Sequence, residues 1–465
     1  MRQIELIWWF GIFGAVLAVA GMIPAFLKIG IASEAPRAEA SSSEAGVRGR
    51  AKTPTSWHTT ARYLGLMLAV AILGVAWLQG QATAWLSIAA AIILFGGFAG
   101  VGYAFCGWNS KFSLTRVFRV NAVTAAMVIL LWTILGYTMA MSEGSAAIGG
   151  FSRAFLKNTG GVISWGQAEL SEATSVLLYT TVAVLATTIA ATAAAPRTKF
   201  VSQIWFVGIW VLFVYAPILH WVWGPGGWLS NPASDIAYVL DGAGGVVIFS
   251  VAGAAGVASL FALEHRRFEP SIKEELISNG TALLTVVGVA LIASFATAGT
   301  DLATTLLATL VTTVAAVFGA SFTAWILEGR PSLATNCAGV LAGVAASASG
   351  AGILPLHFAP LVGIIAGVLG IWSIKEIGRA APYCTALAAG GLAGSLVTSL
   401  LTAESWRQVW LAYEGAAIVV GYDVLATLVI WRILDWLVGR PETVDNKWTE
   451  PDEAKATVVS PTIGT

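Results

Sequence analysis

The chain has 465 residues and a formal net charge of zero; 57% of its residues are hydrophobic, 11% are charged, and its mean hydropathy is +0.79. A soluble chain is about one-quarter charged, so this balance excludes an ordinary soluble globular protein. Zero net charge offers no electrostatic footprint for nucleic acid. Apolar runs of roughly 20 residues, each able to cross the hydrocarbon core as a helix, recur along the length. Backbone groups in lipid must pair internally, so spans are helices or a closed barrel, and the absence of period-two alternation selects helices.

In chain order, about thirteen spans are expected, near 5–28, 62–79, 84–107, 117–141, 173–194, 200–223, 243–263, 277–298, 302–327, 333–350, 354–374, 383–401 and 410–438. The first has only Arg2 before it and an apolar stretch too long for a usual signal-peptide core, so it reads as a retained helix. Residues 30–60 form a polar linker rich in Ser, Ala and Gly, a composition that favours a flexible chain. Basic residues cluster at Arg48, Arg50, Lys52 and Arg62; at Lys111, Arg116 and Arg119; at Arg197 and Lys199; at Arg266, Arg267 and Lys273; at Arg330; and at Lys375 and Arg379. With an odd number of spans, all of these loops fall on one side, which the positive-inside rule makes cytoplasmic. The N-terminus is then expected outside and the tail 440–465 inside. The long loop 142–172, with Glu143, Arg153, Lys157, Trp165 and Glu169, lies outside.

Small residues crowd the spans. Of 50 glycines, most fall within them, and close packing through Gly and Ala is what holds helices together in lipid. Cys106, Cys337 and Cys384 lie scattered in apolar runs and read as buried small hydrophobes, with no metal or disulfide framework. No dinucleotide fingerprint, phosphate loop, G-x-S-x-G or H-E-x-x-H is present, so neither an enzyme nor a cofactor is expected. Asp423 stands out in GAAIVVGYDVLATLVIW, because an intramembrane acid is rare and is usually functional or paired.

Several segments in order carry a resemblance. YAPILHWVWGPGGWL, 215–229, is followed by DGAGG, 241–245; WTILGYTMAMSEG, 132–144, and APRTKF, 195–200, precede them; EGRPSLATNCAGVLAG, 328–343, and AGVLGIWSI, 366–374, come after. Together they resemble the ammonium transporter family (Amt, Mep and Rhesus-type proteins) over about 84–440. The resemblance implies an all-α integral membrane fold: two inverted five-helix halves, about 84–263 and 277–401, plus a long last helix. It implies a homotrimer with a pore in each subunit, embedded among lipids in the cell membrane. Residues 1–83 would be two extra helices with the linker, a place for a protein partner; 84–439 the core; and 440–465 a cytoplasmic tail that lacks the family's E-G-L-D element.

The same alignment exposes departures. The family's pore histidine stands eight residues after the aspartate, where this chain has Phe249, and its partner histidine aligns with Leu387 before Gly390, Gly391 and Gly394. The acid five residues before that second histidine becomes Pro382. The phenylalanine gate aligns with Leu178, and the second gate and serine align with Leu291 and Phe295. Trp223 with Asp241 behind it is what the resemblance leaves of an outer substrate site; an interfacial anchor and a helix cap are the plainer roles of these two residues. His220 matches a family histidine beside the pore and reads as structural. Three functions follow: a transporter of ammonia, ammonium or another small molecule through a histidine-free pore, a transport-inactive partner-binding subunit, and a membrane sensor.

Overall fold

The computed structural model describes residues 114–165, 168–195, 198–231, 235–263, 286–290, 302–377 and 381–439, all within one compact unit, 82–465. The first three expected spans, most of 277–298 and the tail lie outside the described residues, as do Leu291, Phe295, His58, His265 and Cys106. Nine helices among the described residues are long and apolar enough to cross a membrane.

Helix α1 (Leu114–Leu131) runs through a π turn, Trp132–Gly136, into α2 (Tyr137–Met141). The segment after it is more ordered than a plain loop: β1 (Val162–Trp165) and β2 (Ala168–Ser171) pair antiparallel, with Val162 opposite Ser171. Ser171 then caps α3 (Glu172–Thr192), its hydroxyl accepting from the Thr174 N–H at 3.3 Å. A second span joins α4 (Phe200–Trp210), a π turn (Val211–Tyr215) and α5 (Ala216–Trp223). A third opens with a π segment, Gly245–Ser250, and continues as α6 (Val251–Ala262).

In the C-terminal part, α7 (Leu302–Glu328), α8 (Leu333–Gly350), α9 (Ala359–Glu376) and α10 (Pro382–Thr402) pack on one another, and α11 (Trp406–Val438) closes the bundle against α6 and α4. A span was expected from 354, yet α9 begins at Ala359. Gly352, at φ +72°, and a short 3-10 turn at Leu356–Phe358 carry the chain around first, and Pro360 then suits the first helical turn. Conversely α11 starts earlier than expected, because Ser405 caps it through the Gln408 N–H.

The 33 residues of α11 span about 50 Å at 1.5 Å per residue. Ala412, Ala416, Val419, Asp423, Thr427, Ile430 and Leu434 form its buried stripe at three- and four-residue spacing, while Trp410, Leu425, Val429 and Trp436 face outward. Large aromatics fill the core: Phe206 stacks on Trp431 with centroids 4.4 Å apart, and Trp210 stacks on Tyr215 at 5.5 Å.

Candidate functional site

Among the described residues, those singled out from the sequence, Asp423 apart, collect at two levels of the bundle. At the level of the 142–171 segment, Trp223 ends α5. Its indole Nε1 donates to the backbone oxygen of Asp241 at 3.2 Å, and its ring lies 6.3 Å from that of Tyr179. Tyr179 in turn lies 6.2 Å from Tyr137. The three rings form a chain from α5 across α3 to α2, with the buried Leu178 beside Tyr179.

The Asp241 side chain is directed at its own helix start. Oδ1 accepts from the Gly244 N–H at 2.9 Å, and Oδ2 accepts from Val246 at 3.1 Å and Val247 at 2.7 Å. Gly244 makes this possible: its φ of +95° turns the chain so that successive N–H groups converge on the carboxyl. Burial pushes the Asp241 carboxyl up to about 7, against the pull of those N–H donors. His220 is fully buried, with Nδ1 and Nε2 each 2.9 Å from a carbonyl oxygen, of Ala140 and Ser145 respectively. Trp221 Nε1 donates to the Ala147 oxygen at 2.7 Å, so α5 pins the start of the 142–171 segment through two adjacent side chains.

One level deeper, the Gly245–Ala262 span crosses α10 at backbone contact. A Cβ on Gly391 would collide with the Gly245 carbonyl oxygen, and one on Gly253 with the Cys384 carbonyl oxygen. Phe249 lies midway between Gly245 and Gly253, and Leu387 lies between Cys384 and Gly391. The two close approaches therefore bring Phe249 and Leu387 to the same level of the crossing. Both are fully buried in one hydrophobic cluster. The nearby polar group is already bonded, since Ser250 Oγ reaches the oxygens of Gly245 at 3.0 Å and Ala388 at 3.1 Å. Neither Gly245–Ala262 nor Pro382–Thr402 contains a charged residue or a histidine.

Asp423 lies apart from both levels, on the buried stripe of α11. Its Oδ1 accepts from Trp210 Nε1 at 3.1 Å, a proton shared with Thr427 Oγ1 at 3.1 Å, while its Oδ2 has no hydrogen-bond partner. Among the described residues no His, Cys, Asp and Glu side chains gather as a metal site.

Sequence reasoning passed over Glu172. It is buried at the first turn of α3, pairs with Arg153 Nε, and accepts from the Tyr137 hydroxyl at 3.4 Å. An acid directly after a capping serine, at the start of an apolar run, was the available signal.

Comparison with known proteins agrees with this architecture. The chain is 27% identical to an ammonium transporter of Aquifex aeolicus over 380 residues, covering 77% of this chain and 88% of that one. It superposes on Mep2 of Saccharomyces cerevisiae with a TM-score of 0.66 at 18% identity, covering 78% and 88% of the two chains. Against a sensor Amt protein the TM-score is 0.68 at 17% identity, covering 81% and 98%. At such identities the two structures speak for the fold alone. The Ammonium Transporter Family model matches residues 84–456, and the chain belongs to that family of multi-pass membrane transport proteins.

Proposed function

We propose that this protein is a membrane channel of the ammonium transporter family whose histidine-free pore carries no net charge and is selective for small neutral molecules such as ammonia. The observation that carries this reading is the pairing of Phe249 and Leu387 at one level of the crossing, with no charged residue or histidine on either helix. A lone cation near mid-bilayer costs several kcal/mol even after relaxation, and each ~1.4 kcal/mol is a tenfold loss of rate. A neutral molecule meets far less of that barrier. Trp223 serves as the outer substrate site, with Asp241 behind it fixing the helix start against which the indole is placed. Leu178 lines the path with Phe249 and Leu387, and His220 is structural.

The test is an ammonium jump on reconstituted vesicles, recording current and internal pH together. A pH change without current is expected, and a robust current that saturates with ammonium would sink the reading. Complete burial of Phe249 and Leu387 favours one second reading, a non-conducting subunit that binds a partner through residues 1–83; silence in both assays would establish it. Phe249→His with Leu387→His sharpens the comparison. If the departure from the family is local, the double variant recovers current.

A further inference from the structure

Next to Phe249, where Gly245–Ala262 crosses α10, stands the fully buried Ser250. Its hydroxyl lies 3.0 Å from the Gly245 oxygen and 3.1 Å from the Ala388 oxygen of α10. Hydroxyls elsewhere in the spans bond four residues back: Thr180 to Val176, Ser259 to Ala255 and Thr323 to Gly319. Ser250 reaches five residues back, the spacing of a π turn. The backbone there keeps the same spacing, since the Phe249 N–H donates to the Gly244 oxygen at 3.0 Å and the Val251 N–H to that of Val246. In an α register the Phe249 N–H would take the Gly245 oxygen instead. The Ser250 hydroxyl sits on that oxygen and competes for it.

The hydroxyl is also keyed into the partner helix. A Cβ on Gly391 would collide with both the Gly245 oxygen and Ser250 Oγ, so the hydroxyl fills the notch that this glycine leaves in α10. At the other end of the segment the Asp241 carboxyl holds the Gly244, Val246 and Val247 N–H groups. The π segment is thus fixed at both ends, and Phe249 adjoins the second fixed point. The π turn ahead of α5 has a similar brace, because the Tyr422 hydroxyl of α11 donates to the Phe213 oxygen at 2.6 Å.

We propose that Ser250 is a positioning residue for the constriction: its hydroxyl holds Gly245–Ser250 in the π register against α10 and thereby keeps the Phe249 ring at the level of Leu387. Without the hydroxyl, an α turn recovers the bond from the Phe249 N–H to the Gly245 oxygen. An α turn holds fewer residues than a π turn, so the same residues wind further and the ring turns away from Leu387. The gap that a neutral molecule must pass then widens, and discrimination by size falls. That consequence for selectivity rests on the pore reading above; the placement of the ring by Ser250 does not.

The test places 4-fluorophenylalanine at position 249 of the full chain in mild detergent and reads its fluorine resonance. Entry of ammonia and of methylamine into reconstituted vesicles is measured alongside, from internal pH. Ser250→Ala should shift the resonance, whereas Thr323→Val, which loses a four-residue hydroxyl bond on α7, should leave it in place. In the vesicles Ser250→Ala should raise the ratio of methylamine to ammonia entry about threefold or more. An unmoved resonance in Ser250→Ala overturns the proposal whatever the vesicles show. A moved resonance with an unchanged ratio, in vesicles that admit both amines, overturns it as well. A moved resonance with vesicles closed to both amines upholds the role of Ser250 and sinks the pore reading instead. If Ser250→Ala does not fold, Ser250→Cys, whose thiol is only a weak donor, takes its place and must shift the resonance the same way.

Discussion

The three N–H groups that meet the Asp241 carboxyl leave it little freedom to serve anything else. Replacing Asp241 by Ala strands those buried donors and should cost about 1–3 kcal/mol in chemical denaturation, while Asn, which keeps one acceptor, should cost less. Its pH response has a definite sign. The folded protein holds this proton up to about 7, whereas the free side chain releases it near 3.8. The stability linked to Asp241 is therefore present below about pH 4 and is lost as pH rises through the window to 7. The melting point of the native chain should fall across that window more steeply than that of Asp241→Asn. A parallel pair of curves would refute the assignment. Counting from Asp241 and from the glycines at 390, 391 and 394 singles out Phe249 and Leu387 in the sequence, and the close approaches of the two helices put those positions at one level. Glycine-mediated packing leaves its spacing written in the chain. The Arg153–Glu172 pair was not legible, since it forms across a hairpin whose turn decides which side chains meet.

Between helices, the close approach of Gly245–Ala262 to α10 leaves no room for one extra carbon. Gly391→Ala should push α10 away from the Gly245 carbonyl and lower stability by about 1–3 kcal/mol, as overpacking of a tight contact does. An unchanged melting point would show that the helices part easily there. The α11–α4 contact behaves differently. Trp210 Nε1 is shared between Asp423 and Thr427, so losing one acceptor leaves the other. Asp423→Leu, which also removes the unpartnered Oδ2, is expected to be neutral or stabilising by about 1 kcal/mol. Adding Thr427→Val should then cost more than Thr427→Val alone, and a double-mutant cycle measures the excess. The sequence showed Asp423 as an acid in a span; its acceptor role depends on an indole 213 positions earlier, and no local pattern reports that.

For the whole molecule, composition and the recurrence of apolar runs were enough to give an all-α membrane fold, and the described spans fall close to the expected limits. The distribution of Lys and Arg predicts the side on which each loop lies. Cysteines placed at Lys157 and at Arg330 should be labelled from opposite faces of sealed vesicles, Lys157 from outside, and labelling of both from one face would reverse the topology. The outward Trp410, Leu425, Val429 and Trp436 of α11 and the outward Leu310, Val314, Phe318 and Phe322 of α7 are apolar surfaces for lipid or for copies of the chain. A trimeric mass in mild detergent is the expected result, and a monomer would count against it.

The π turns carry a consequence for how this bundle tolerates change in length. Each holds one residue more than the α-helical repeat requires. Deleting a single residue from Val211–Tyr215 would therefore leave a continuous, regular hydrogen-bond ladder and an intact span. The helix beyond would keep its angular phase, because one π turn of five residues turns the chain about as far as four α-helical ones, and His220 and Trp223 would stay on their partners. A residue inserted where no surplus turn exists to absorb it would instead turn everything beyond it by about 100° and shift it by about 1.5 Å. The π turn ahead of α5 is thus slack in the span, one residue of length that can be lost without moving the aromatic end.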